Sequence, residues 1–302
     1  MSRARAYIEA RLAPEAPALR LATLRALVGL FALVYLSIRF VHLLRYRDFP
    51  AAQFAPIGVV SWLGLEKPLG PGLVVVQVAA TWLLAISFML GFKHRVLAPL
   101  FAFALLWTLT YRSSWGMIFH TENLFVLHVL VLALAPSADT FAFRSAPRQR
   151  SAREYGLALR LMCFITVLGY FVAGVAKLRN AGWTWSTGDV LQVQVAYDNL
   201  RKLALGDFYS PLGGFLVRFD AIWPPMATMS LFLELAAPFA FLGDRVGRWW
   251  SFAAFSFHLG VLALMAINFP YPLSFVAYAS FFAVERTLRF LPEPLRRAGI
   301  ER

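Results

Sequence analysis

Lys177 closes an apolar stretch, Gly169-Tyr170-Phe171-Val172-Ala173-Gly174-Val175-Ala176-Lys177-Leu178, in which Tyr170, Gly174 and Lys177 recur at i, i+4 and i+7. On a helix that spacing puts all three on one face. Gly169 and Ala173 form a small-xxx-small pair, which lets a neighbouring helix approach closely. A lysine held in such packing loses hydration, which disfavours the ammonium and makes the amine a candidate base. On that reading Lys177→Ala removes activity and leaves stability nearly unchanged. The plainer reading is a terminal lysine reaching out to water.

Other polar side chains interrupt the apolar runs in the same way. Each needs a partner, a cavity or a role, because an ionisable group near a bilayer centre costs on the order of 2.5–3.5 kcal/mol. Arg39 and His42 sit three apart near the end of the first run, and His120 and Asn123 sit three apart at the start of the fourth. Glu234 and His258 fall at similar central depths in two later runs. A carboxylate there would orient the imidazole if the two met, and the alternative is a structural interhelical hydrogen bond. His128 suits a bond to a backbone carbonyl. Arg25 and Arg160 lie near run ends, where they can extend to the interface. No His-Glu-x-x-His spacing, Gly-rich phosphate loop or Gly-x-Ser-x-Gly elbow is present, and no metal is expected.

The elements that must position these groups follow from hydropathy. Of 302 residues, 60% are hydrophobic and 15% charged, well beyond the roughly 45–50% apolar share of soluble domains. The apolar residues come in runs of about twenty, the length that crosses a hydrocarbon layer. We read helices at 21–44, 72–92, 96–113, 122–137, 157–178, 222–242, 249–268 and 272–288. The expected fold is therefore an all-α integral membrane protein, a polytopic bundle of about eight transmembrane helices. Its single domain would span 1–302, with a lead-in over 1–20, an outer cap over 179–221 and a tail over 289–302.

Charge orients the bundle. The net charge of +13 comes from basic residues between the apolar runs. Placing both termini in the cytoplasm gives the inner segments about twice the Arg and Lys of the outer ones. Lys93, Arg95, Arg144, Arg148, Arg150 and Arg153 lie among the inner residues, and the localisation expected is a multi-pass protein of the cell (inner) membrane. No basic stripe alternates with exposed aromatics, so nucleic acid is not an expected partner, whereas membrane lipid is. The single cysteine, Cys163, excludes an intramolecular disulfide. The first run lacks a small-residue cleavage pattern and reads as a retained anchor. Two outer connections are long. Residues 45–71, with Pro50, Pro56, Pro68 and Pro71, suit a re-entrant or surface-lying segment. Residues 179–221, with Trp183, Trp185, Tyr197, Phe208 and Tyr209, suit outward-facing interfacial helices.

Several segments resemble the transmembrane domain shared by vitamin K-dependent gamma-carboxylases and their bacterial relatives, the horizontally transferred transmembrane (HTTM) domain. Tyr-Phe-Val-Ala-Gly-Val-Ala-Lys-Leu at 170–178 is similar to the family's Tyr-Phe-x-Ala-Gly-x-x-Lys-Leu, the most specific of the likenesses. Trp185-Ser186-Thr187-Gly188 resembles the Trp-x-x-Gly that follows it, a few residues later here. His120 to Leu124 resembles the family's His-bearing helix start. Glu234 and Pro238, Phe257-His258 and Ile267-Asn268-Phe269 resemble its paired late helices. Together the likeness covers nearly the whole chain.

The resemblance implies a base at Lys177 that deprotonates reduced vitamin K or menaquinol, with His120 stabilising the ionised form. In the carboxylases oxygen then yields an epoxide and a strong base, a glutamate γ-proton is removed and CO2 adds. The implied activity is that of a quinol-dependent carboxylase-epoxidase-like lyase. From the topology, Arg39, His42, His120 and Lys177 are expected to face a shared outward cavity, with Asn123, Tyr170, Trp185, Glu234 and His258 as further ligand-binding candidates. The carboxylases continue into a large extramembrane domain that engages the glutamyl substrate, whereas this chain ends soon after the eighth run, so a separate soluble partner is one expectation. Short relatives include a membrane protein needed to mature a secreted bacterial toxin. The alternative class is accordingly a non-catalytic helper for maturation or export of a secreted peptide.

Overall fold

The computed structural model describes residues 12–143 and 150–290. Most of the expected lead-in, the centre of the 137–155 loop with Arg144 and Arg148, and nearly all of the 289–302 tail lie outside them. The described residues form helices and irregular segments, with no strand among them. They divide into two compact units. One holds the residues up to Met162 together with those from Ala283 onward, and the other is Cys163–Phe282.

The first unit contains α1 (Ala18–Leu44), the short α2 (Gly58–Trp62), α3 (Pro71–Leu90), α4 (His94–Ser113), α5 (Asn123–Leu134) and the start of α6 (Ala152–Ala181). α1 packs on α3, α3 on α4, α4 on α5 and α5 back on α1, which closes a four-helix ring. Among the described residues, four helices, α1, α3, α4 and α6, are long and apolar enough to cross a membrane. Their outer faces fit lipid. On α1, Leu30, Val34, Ile38 and Val41 form an exposed stripe, with Ile38 76% exposed, while Val28, Ala32, Tyr35 and Leu36 are buried on the other side. Both faces are apolar, as expected where the outer solvent is hydrocarbon rather than water.

The second unit continues α6 and adds α7 (Asp189–Ala204), α8 (Pro211–Leu216), α9 (Trp223–Leu235), α10 (Asp244–Met265) and α11 (Pro270–Leu273). The 179–221 region is helical as expected, but its main helix is turned inside out. On α7, Val195, Asn199 and Lys202 are buried, while Val193, Tyr197 and Leu200 are exposed. The buried polar groups have a task. A helix leaves its last carbonyls unpaired, and α10 ends at Met265 with Ala266 in the left-handed region at φ 50. Ser210 Oγ donates to Ala263 O at 2.5 Å, Asn199 Nδ2 to Leu264 O at 2.9 Å and Lys202 Nζ to Met265 O at 2.5 Å. Side chains from a remote segment thus close the end of α10.

Prolines set the departures from the expected helices. The run at 122–137 ends early, at Leu134, because Pro136 holds Ala135 extended. The run at 222–242 stops at Leu235 and finishes as a 3-10 segment, Ala237–Phe241, around Pro238. The eighth run, 272–288, is not one continuous helix. It begins within the four-residue α11 and reverses at Phe275 with φ 64. A 3-10 segment, Val276–Phe281, follows, and Phe282 is extended before a second one, Val284–Phe290. The boundary between the two units falls inside it. Residues 45–71 make 3-10 turns and α2 rather than a long helix.

Candidate functional site

In the second unit the structure gathers five of the sequence-derived residues into two adjoining clusters. Lys177, near the end of α6, donates from Nζ to Glu234 Oε1 on α9 at 2.7 Å. The side chains are 19% and 5% exposed, so the pair is largely removed from water. The same Nζ lies 4.7 Å from the Trp185 ring centroid and 5.5 Å from that of Phe257, so aromatic faces supply further stabilisation of a cation. Trp185 sits in the 3-10 segment Gly182–Thr187 and is held by bonds from Nε1 to Ala227 O at 3.2 Å and Ser230 Oγ at 3.3 Å. This fixes the aromatic wall beside the amine.

Gly174 explains how Glu234 comes so close. A Cβ at position 174 would lie 2.9 Å from Glu234 Cβ and 3.1 Å from two Leu235 side-chain atoms, so only glycine fits without a shift. The small residue that matters is therefore Gly174. Gly169, expected to form the close contact, is exposed with nothing within 4 Å of the place a Cβ would take. The period-of-four reading chose the wrong pair.

One face-turn earlier, Tyr170 is the centre of a buried chain. Its hydroxyl meets Tyr278 Oη at 2.5 Å and His258 Nε2 at 2.7 Å, and its ring packs edge-to-face on Trp250 with centroids 5.0 Å apart. The pairing of Glu234 with His258 does not form, because Lys177 takes Glu234 and Tyr170 takes His258. Two atoms are left over: Glu234 Oε2 and His258 Nδ1 are buried and have no hydrogen-bond partner among the described residues. Buried polar groups are rarely left so.

Lys177 belongs to the second unit, and His120, Arg39, His42 and Asn123 belong to the first. His120 is exposed and precedes α5 in the turn where Asn123 N donates to His120 O at 3.2 Å. Asn123, the first residue of α5, is exposed too. His42 is exposed with its ring edge-on to Tyr46 at 5.8 Å, and Arg39 is half-buried. The buried polar centre of this unit is made of residues the sequence reading passed over. Arg112 NH2 bonds Glu122 Oε2 at 2.8 Å, Arg112 NH1 bonds Tyr35 Oη at 3.0 Å, and Tyr35 Oη donates to Glu122 Oε1 at 2.7 Å. Thr121 Oγ1 adds a bond to Glu122 Oε2 at 2.6 Å. The signal was an acid, Glu122, placed immediately before an apolar helix in a chain with few acids.

Two lesser expectations have clear outcomes. His128 Nε2 bonds Met162 O at 3.1 Å, the backbone partner expected of it. Arg25 does not reach solvent: it is 0% exposed, bonds Phe141 O through NH2 at 2.5 Å, and packs against Gly91, where any Cβ would collide with its guanidinium. Among the described residues, no group of three or more His, Cys, Asp or Glu side chains is placed to hold a metal ion. Comparison of the chain with protein-family models, with curated proteins and with solved structures finds no match.

Proposed function

We propose that this chain is a membrane-embedded, proton-handling protein of the HTTM type that acts on a reduced quinone, vitamin K hydroquinone or menaquinol, with the Lys177–Glu234 pair as its acid–base centre. The observation that carries the reading is the buried 2.7 Å pair with Glu234 Oε2 left unpartnered beside it. It stands with the 170–178 motif that resembles the carboxylase family.

The pair refines the role of the lysine. A bonded ammonium is not a free base, so a proton must first pass from Nζ to Glu234 before the amine can take another. Both arrangements are net neutral, which suits a site of low dielectric. Glu234 Oε2 and His258 Nδ1 are the spare polar atoms a ligand's oxygen functions would satisfy, and Trp185 and Phe257 supply flat apolar walls. When bound, a reduced quinone supplies a phenolic proton and, with oxygen, the chemistry that ends in an epoxide and water. Glutamyl carboxylation with CO2 would further need a substrate-engaging partner. The part expected of His120 is a matter for substitution.

The topology proposed with this function has eight apolar segments crossing the cell membrane, with both termini cytoplasmic. It is supported by the excess of Arg and Lys in the segments assigned inside and by the exposed apolar faces of the helices. The deciding experiment incubates purified protein in nanodiscs with reduced menaquinone and oxygen and follows epoxide by mass spectrometry. Epoxide formation lost in both Lys177→Arg and Glu234→Gln supports the reading. No epoxide, with a co-purifying secreted peptide instead, would transfer the protein to the helper class.

A further inference from the structure

At the opposite end of α4 from Arg112, the first unit has a second feature that the proposed chemistry does not use. A cavity of about 520 Å³ opens between the start of α4 and the end of α5. Lys93, Arg95 and Arg150 line it, with Asp139 as the single acid among the described residues. Arg150 is spoken for by Asp139 at 3.2 Å and Glu154 at 3.0 Å. Among the described residues, no carboxylate lies within ion-pair distance of Lys93 or Arg95. The cavity therefore presents two uncompensated positive charges. Apart from His94, whose Nε2 is paired with Ser137 Oγ at 2.9 Å, its remaining wall is apolar, and Val96 and Leu134 on that wall are exposed on the outer surface of their helices.

The local backbone makes this placement unfavourable without a counter-ion. α4 begins at His94 with no acidic residue in its first turn and no side-chain cap, and cations at a helix start oppose the helix dipole. Lys93 is also held at φ 44, a left-handed conformation that a residue with a Cβ adopts at a cost. Attraction of a basic loop to the membrane surface would account for positive charge anywhere in this connection, but not for a cavity floored by hydrocarbon with two free cations at its mouth. We infer that this cavity binds the phosphodiester headgroup of an anionic phospholipid, with Lys93 and Arg95 on the phosphate and an acyl chain lying along Val96 and Leu134. Charge complementarity selects the headgroup, and the adjoining exposed apolar surface selects a lipid over a free ion.

The test is a lipid titration of the full chain in detergent, read by native mass spectrometry, with phosphatidylglycerol, phosphatidylcholine and inorganic phosphate as separate arms. Phosphatidylglycerol should bind selectively and should resist displacement by phosphate. Each charge removed should weaken it about fivefold, so Lys93→Gln with Arg95→Gln should weaken it on the order of twenty-five-fold, whereas Lys93→Arg with Arg95→Lys should retain it. Lys93→Gly separates binding from folding: it relieves the left-handed strain, so the thermal midpoint in detergent should hold or rise while lipid affinity falls. Equal binding of phosphatidylcholine would overturn the inference, as would displacement by phosphate. So would a loss in the exposed control Lys67→Gln as large as that in Lys93→Gln.

Discussion

Lys177 and Glu234 share a hydrogen bond of 2.7 Å, with the carboxylate 5% exposed and its second oxygen unpartnered among the described residues. Such a pair is costly to break singly and cheap to replace jointly. Lys177→Ala should therefore destabilise the protein by roughly 2–4 kcal/mol, toward the low end because Lys177 keeps 19% exposure. The 2.7 Å pair replaces the expectation of a substitution silent for stability with one of measurable loss. Lys177→Met with Glu234→Leu should recover most of the loss while leaving epoxide formation absent. Thermal unfolding of the two variants in one detergent, read beside their epoxide formation, decides between a structural and a proton-handling pair.

Lys177→Arg makes the complementary test. A guanidinium can replace the ion pair, but with a pKa above about 12 it has essentially no neutral form. Stability should stay near that of the parent while turnover is lost. Full turnover in the arginine variant would end the role of Lys177 as a base.

Gly174→Ala and Gly169→Ala differ by one methyl group each and should behave oppositely. At 174 the new Cβ meets Glu234 Cβ at 2.9 Å, so α6 or α9 must shift, at a cost of about 1–3 kcal/mol. At 169 the Cβ enters open space, and the helix gains up to about 1 kcal/mol from losing a glycine. Thermal midpoints of the two variants report the difference directly.

The hydroxyl chain Tyr278–Tyr170–His258 should be cooperative. Tyr170→Phe removes both bonds and strands two buried partners, costing about 2–4 kcal/mol, whereas Tyr278→Phe removes one and costs about 1–2 kcal/mol. A double-mutant cycle should show the two losses to be less than additive. Strict additivity would mean the hydroxyls do not act together.

For topology, reporters at either terminus and within 137–155 should read cytoplasm, and reporters within 179–221 the opposite side. A reporter after Arg302 that reads outside, with the N-terminal reporter in the cytoplasm, would exclude an even number of crossings.

The long helices were legible because hydropathy over about twenty residues is a strong signal: α1, α3, α4 and α10 follow the apolar runs closely. The late segment was not, since Pro270, Pro272 and the left-handed Phe275 break a run whose composition reads as helix. At the site, the shared face of Tyr170, Gly174 and Lys177 was readable from spacing alone. Their partners were not. Similar depth allows Glu234 to meet His258, yet depth does not specify which faces meet, and the approach allowed by Gly174 gives Glu234 to Lys177. Glu122 and Arg112 escaped notice because each sits at the edge of an apolar run, where a charge ordinarily means solvent.

The closure of α10 by Ser210, Asn199 and Lys202 bears on how the chain is made. During synthesis α7 leaves the ribosome well before Ala263, Leu264 and Met265 exist, so its buried polar face has to wait for its acceptors. Until α10 arrives, Asn199 and Lys202 have none of those carbonyls to bind, and a nascent chain stalled after α9 displays a polar stripe on a helix whose other side is apolar. That stripe distinguishes an unfinished molecule from a finished one, because it is covered only when the last turn of α10 is in place.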